Sequence, residues 1–234
     1  MTGKARTAIR RALREAGRER FIKLGAELAR SAFEHVGKKA TDKVLEKAAK
    51  TLRLENAGEV LARLGSAEIT SDWGARMAPR SNPDYNPAGY HEGSVWPLYT
   101  GWTSLAAFSA RQPLTGFLHA YSNLRLVRQG SLGYITEVLH GDVLEPIGVT
   151  DHQAWSHALT ILPIIQGMLG IRPDAVNGVL RIHPQLPGGW RELTVQRVRV
   201  GDNAFNITVR REDETSAFLI ERVAGNEAIQ FDLA

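Results

Sequence analysis

Residues 152–169 read HQAWSHALTILPIIQGML, and this stretch decides how the chain must fold. Ala154, Leu159, Ile161, Leu162, Ile164, Ile165, Met168 and Leu169 leave little polar surface on any side of a helix. A helix that is apolar nearly all round needs cover on several sides. Neighbouring elements must therefore surround it. No apolar run in the sequence reaches the length a membrane helix requires.

Working upstream, residues 94–110 and 114–129 read as two more helices, the first with Pro97 in its opening turn. Gly130 to Gly148 reads as loop. Residues 74–93 are rich in Pro, Asn, Gly and Asp, which marks a long loop. Loops of that length inside a compact domain are functional or disordered. Downstream of Pro173 the period shortens. Val179–Ile182, Leu193–Val200, Ala204–Arg210, Ala217–Val223 and Ile229–Leu233 read as strands, with turn signals at Gly201-Asp202-Asn203 and Ala224-Gly225-Asn226. The tail is expected to be an antiparallel sheet within a sandwich.

The first part of the chain has another character. Residues 4–34 carry Ala8, Ile9, Ala12, Leu13 and Ala16, then Phe21, Ile22, Leu24, Leu28, Ala32 and Phe33, at helical spacing. Gly37 reads as a stop. Thr41 caps a helix over 42–53, and a shorter one runs from Asn56 to Leu64, stopped by Gly65. Residues 1–70 hold 16 Lys and Arg against 9 Asp and Glu, net +7, whereas residues 71–234 are net −3. Every Trp, Tyr and Pro follows residue 70. A seam is expected near Ser66–Trp73, giving domains at 1–70, 71–172 and 173–234.

Composition bounds the function classes. Charged residues make up 23% and hydrophobic residues 43%, as in a soluble globular protein. The basic N-terminus is followed by no apolar secretory core. Cysteine is absent, which excludes disulfides, thiolate metal sites and a Cys nucleophile. A reducing cytoplasm is the expected compartment.

Two segments mix Trp with acids, His and small residues at helix starts: Tyr90-His91-Glu92-Gly93-Ser94-Val95-Trp96-Pro97 and Thr150-Asp151-His152-Gln153-Ala154-Trp155-Ser156. Flat indoles stack on sugar rings, and acids and amides bond hydroxyls. Free N–H groups at helix starts add donors. Against this, a lone Trp is ordinarily core. Glu137, in TEVLHGD (136–142), reads either as a catalytic carboxylate or as a solvated acid. Glycoside hydrolysis needs two carboxyl groups. His140, His152 and His157 lack the i,i+4 spacing of a zinc helix, so no metal is expected. No Gly-x-Ser-x-Gly elbow is present. Arg6, Arg10, Arg14 and Arg18 fall along one side of a helix, either as a phosphate-binding stripe or as a solvated face shared with Glu15 and Glu19.

These motifs carry two resemblances. DWGARMAPRSNPDYNPAGYHEGSVWPLYTGWTSLA (72–106), TEVLHGD, GVTDHQAWSHALTILPIIQGMLGI (148–171) and LRIHPQLPGGW (180–190) resemble the C-terminal part of bacterial glycogen-debranching, amylo-α-1,6-glucosidase-like glycosidases with six-hairpin (α/α)6 barrels. The resemblance implies Glu137 as general base, and Tyr90, His91, Glu92, Trp96, His152, Gln153 and Trp155 as sugar-pocket residues. It implies an α-glucan or small α-glucoside as partner and no cofactor. It also implies a general acid in an N-terminal half of the barrel that this chain lacks. Residues 3–69, beginning GKARTAIRRALREAGRERFIKLGAELARSAF (3–33), resemble the helical segment of bifunctional guanosine tetraphosphate synthetase/hydrolases. In that family the segment carries no catalytic residues and belongs to the regulatory half that senses the ribosome. It implies RNA or ribosome contact, with Arg6, Arg10, Arg14 and Arg18 as contact candidates.

The expected fold is α+β: an N-terminal helical module, a partial (α/α)6 barrel and a C-terminal antiparallel sheet. Uncovered apolar helix faces imply self-association. The leading functional expectation is a glycoside hydrolase-like protein, impaired by its missing general acid. The alternatives are a non-enzymatic RNA- or ribosome-binding regulatory module and a chimeric or truncated fragment without activity.

Overall fold

A computed structural model describes residues 58–130, 132–212 and 215–233. The helices expected over 4–34 and 42–53, and the arginines at 6, 10, 14 and 18, lie outside these residues. Gly58–Ala234 pack as a unit of their own.

Residues 58–64 are helical, and the Gly65 N–H closes the helix on the Leu61 carbonyl at 2.8 Å. Leu61 and Ile69 are buried. Strand β1 (Thr70–Ser71) then pairs antiparallel with β2 (Gly74–Ala75). The segment where composition changes is thus a packed hairpin.

Three helices follow: α1 (Pro97–Ser109), α2 (Pro113–Leu126) and α3 (Ala154–Leu162). Pro97 and Pro113 sit at helix starts, where a missing N–H costs no intrahelical bond. Glycine lets these helices approach closely. A Cβ on Gly101 of α1 would collide with the Leu159 carbonyl of α3. The ring of Phe108 lies between Gly116 and Gly167, where added Cβ atoms would come within 2.8 Å and 2.5 Å of it.

The single helix expected over 152–169 is divided. Pro163 has no N–H, so α3 ends at Leu162 and Pro163–Met168 form a π turn. The Leu169 N–H donates to the Ile164 carbonyl at 2.9 Å. Pro163 therefore cannot give the Leu159 carbonyl its ordinary i→i+4 bond. Asn123 of α2, fully buried, donates there instead: its Nδ2 reaches the Leu159 carbonyl at 3.2 Å and the Pro97 carbonyl at 2.8 Å. One side chain thereby ties α2 to both α1 and α3.

The tail forms two three-stranded sheets. Strands β5 (Glu192–Val200), β6 (Asn203–Glu212) and β7 (Thr215–Ala224) make an antiparallel meander. A bulge between Val195 and Val198 in edge strand β5 puts Arg197 at φ 59, and its N–H donates to Asn206 Oδ1 at 3.1 Å. The second sheet has the order β3 (Ile171–Asp174), β4 (Val179–Ile182), β8 (Gln230–Leu233). Strand β3 is absent from the expected set because it carries Pro173. Proline is tolerated there because β3 is an edge. The expectation of a wholly antiparallel sheet also needs correction, since β4 and β8 are parallel. The intervening meander supplies the long crossover that a parallel pair demands.

Both sheets face one core. Leu180 and Ile182 from one and Phe205, Ile207 and Val209 from the other cluster together, extended by Phe108, Met168 and Leu169 from the helical layer. A smaller core of Val95, Leu126, Ile135 and Leu139 sits beneath the long loops. Trp102, Leu114, Leu118, Tyr121 and Ile161 remain exposed on α1–α3, leaving apolar surface uncovered. Among the described residues no helix is long and apolar enough to cross a membrane.

Two side chains of α2 make the helical layer testable. Asn123→Ala strands the Leu159 carbonyl, and we expect a loss of about 2–3 kcal/mol in urea unfolding. An unchanged midpoint would contradict that role. One turn earlier on α2, His119 is 2% exposed, and its Nδ1 has no hydrogen-bond partner. Burial lowers its pKa from 6.5 to about 4. The unfolded chain takes up this proton near pH 6.5, while the folded chain refuses it until about pH 4. Stability is full above the unfolded pKa and declines by about 3 kcal/mol as pH falls between the two. In His119→Leu the same acid scan should show a smaller decline; an identical one would rule out His119 as its source.

Candidate functional site

The long loop preceding α1 is held by its own side chains. Asn82 Oδ1 accepts from the Asp84 N–H and Asn86 Oδ1 from the Ala88 N–H, each at 3.1 Å, closing two Asx turns. Arg76 is buried, and its Nε donates to the Gly141 carbonyl at 2.7 Å. Asp142 gathers the far end: its Oδ1 accepts from Arg80 Nη2 at 2.6 Å, Arg80 Nε at 3.0 Å and the Tyr85 hydroxyl at 2.9 Å. The Arg80 hydrogen bond is the main reason that Asp142 titrates below the ordinary carboxylate range. Burial first, then its bond to Asp142, raises the Tyr85 phenol.

Single-residue bridges then run Arg76–Val95–Leu139–Pro146 across the loops. Val95 and Leu139 exchange backbone bonds at 2.8 Å and 2.9 Å. This rung places Glu137, two residues from Leu139, opposite the Tyr90 turn. Glu137 is buried, and its Oε1 accepts from the Tyr90 hydroxyl at 2.7 Å. That bond, with smaller contributions from burial and the carboxylate charge, holds the Tyr90 phenol above its usual pKa.

Four of the sequence-predicted residues meet here: Tyr90, His91, Trp96 and Glu137. The Tyr90 ring meets Trp96 edge-on at 4.6 Å, and His91 stacks on Trp96 at 5.4 Å. Trp96 is 7% exposed, and its Nε1 donates to the Tyr90 carbonyl at 2.9 Å and Ser94 Oγ at 3.0 Å. Its indole face and N–H are therefore engaged within the protein. Glu92 is exposed, and its Oε2 accepts from the His91 N–H at 3.1 Å.

The second segment forms a neighbouring group. His152 lies 4.9 Å from the Tyr134 ring, and His157 Nε2 accepts from the Ile135 N–H at 3.1 Å. The Gln153 N–H donates to the Ile135 carbonyl at 2.9 Å, while its side chain caps the Ala154 N–H at 3.0 Å. Trp155 is exposed on the first turn of α3. Among the described residues no group of three His, Cys, Asp or Glu is arranged to hold a metal. His140 Nδ1 accepts instead from the Asp142 and Val143 N–H groups, at 3.1 Å and 3.3 Å. The buried polar pair His119 and Asn123 gave no signal in the sequence, since both sit in an ordinary amphipathic helical run.

Comparison with known proteins draws attention to the other end of the chain. Residues 12–72 match the RelA/SpoT AH domain. The GTP pyrophosphokinase rsh of Brucella abortus (strain 2308) is 38% identical over 84 residues, which are 36% of this chain and 11% of that protein. The GTP pyrophosphokinase rsh of Brucella ovis is 40% identical over 70 residues, 30% of this chain and 9% of that protein. The chain spans about a tenth of the length of the curated relatives it matches. These matches correct the leading functional expectation. They point to a segment of alarmone enzymes, so the glycoside hydrolase and glycogen-debranching reading is overturned and the α-glucan partner is left without support. The cluster around Glu137 stands as a packed carboxylate–aromatic group with no reaction attached to it. What the comparisons support is regional: residues 12–72 are similar to the RelA/SpoT AH domain.

Proposed function

We propose that this chain acts through its N-terminal segment as a non-enzymatic regulatory module that contacts RNA, in the manner of a ribosome-associated segment of guanosine tetraphosphate synthetase/hydrolases. The observation that carries this reading is the match of residues 12–72 to the RelA/SpoT AH domain. Charge agrees with it. Residues 1–70 carry net +7, and Arg6, Arg10, Arg14 and Arg18 share one side if that stretch is helical. Lys and Arg stripes displace condensed counterions from a phosphate backbone, which yields affinity that falls with salt. The pyrophosphokinase reaction named for the Brucella relatives is not carried over, because the shared segment is a small part of those proteins.

For the remainder we propose an α+β architecture, with α1–α3 as a portion of an (α/α)6 barrel and the two sheets as a C-terminal β-domain. The support is the close packing of α1–α3 through Gly101, Phe108 and Asn123.

Titration of the full chain against ribosomes and purified ribosomal RNA over a salt series tests the functional reading. We expect log affinity to fall linearly with log salt. Replacing Arg6, Arg10, Arg14 and Arg18 with Gln should shrink the slope by about 0.7–0.9 for each phosphate that is no longer neutralised. Binding that ignores salt, or no binding at low salt, would refute it.

A further inference from the structure

The two C-terminal sheets leave edges at β3, β8, β5 and β7. An edge strand carries a row of unpaired N–H and C=O groups, and proteins guard such rows with proline, short length, bulges or charge. The first three edges are guarded. Strand β3 carries Pro173, β8 runs only from Gln230 to Leu233, and β5 is interrupted by its bulge at Val195/Val198, with Arg197 inside it.

Strand β7 has none of these devices. Thr215–Ala224 reads TSAFLIERVA, 10 residues without proline or glycine. Its ladder with β6 is regular from Thr215 to Arg222, and the register shifts only past that point, at Ala204/Phe205. Of the backbone bonds outside helices and ladders, none among the described residues reaches Thr215–Ala224. Alternate residues of β7 therefore keep their N–H and C=O groups for a further strand.

The side chains define which strand fits. On one face Phe218 and Ile220 pack against the sandwich core, and the Arg222 guanidinium lies 5.3 Å from the centre of the Phe205 ring. On the other face Leu219 is 70% exposed, with Ala217, Glu221 and Val223 on the same side. The two ends of the strand differ in charge. Exposed Glu212 pairs with its first residue, and exposed Arg222 stands near its last. Arg222 forms no ion pair among the described residues; its Nη1 donates to the Glu227 carbonyl at 2.9 Å. An antiparallel second copy brings ends of opposite sign together, whereas a parallel one sets like against like.

We propose that two copies of this chain join by antiparallel pairing of β7 with β7 about Leu219, merging their β5–β6–β7 sheets into one. That register uses residues 215–223 in full. It sets Phe218 beside Ile220, Ala217 beside Glu221, Ser216 beside Arg222, and Leu219 beside its own counterpart. No like charges meet, and the Phe218–Ile220 pairs carry each apolar face across the junction. Registers centred on Glu221 or Arg222 would oppose identical charges. The contact is two-fold and closes on itself, so it ends at a dimer.

Sedimentation of the full chain over a concentration series tests this. We expect a monomer–dimer equilibrium with a Kd of about 10–100 μM, as suits a small interface. Leu219→Lys, at an exposed position, should melt like the parent and weaken the dimer at least about tenfold, because two lysines then stand opposed. Leu219→Glu should do the same alone, and an equimolar mixture of the two variants should restore the dimer. A parent that stays monomeric at about 500 μM would overturn the proposal. So would a Leu219→Lys chain that dimerises as tightly as the parent, the result expected if the exposed side chains of α1–α3 drive association. A mixture that remains monomeric would overturn it as well.

Discussion

The helical layer depends on the two hydrogen bonds that Asn123 donates to the carbonyls of Pro97 and Leu159. Pro163 creates the need for one of them by removing the N–H that Leu159 would otherwise receive. Gly101 creates the space, because it lets α1 lie against that carbonyl. Three chemically unrelated choices, a proline, a glycine and an amide, therefore agree on one junction. The consequences travel outward. The start of α1 fixes Trp96 and the start of α3 fixes Gln153, and these two ends hold the Ile135–Leu139 segment between them. The burial of Glu137 follows from that arrangement.

Much of this architecture was legible because it rests on local rules. Pro97 falls in the opening turn of the helix expected over 94–110, and α1 begins at it; the helix expected from residue 114 begins one residue earlier, at Pro113. Period-two alternation places β4 to the residue and β5–β8 to within a few. The failures have physical reasons too. Strand β3 carries a proline that only its edge position permits. The parallel pairing of β8 with β4 is a long-range choice without a local signature. Residues 152–169 keep an unbroken apolar pattern, yet Pro163 converts the end of the helix into a π turn.

The aromatic tracts teach a different lesson. Trp, Tyr, His and Glu at helix starts are the residue types of a sugar site, and they are equally the types that satisfy one another. Trp96 directs its N–H to Tyr90 and Ser94, and Tyr90 directs its hydroxyl to Glu137. A buried indole covered by His91 has no free face for a pyranose ring. Composition alone does not separate recognition from self-satisfaction; hydrogen-bond geometry does. Function is better read at the N-terminal end, where residues 12–72 match the RelA/SpoT AH domain within a strongly basic segment.

The central claim is that the N-terminal segment makes the RNA contact. Ultraviolet cross-linking of the full chain to ribosomes, followed by mapping of the cross-linked peptides, tests it most directly. The account predicts cross-links concentrated in residues 1–72. Cross-links confined to residues 73–234 would contradict it.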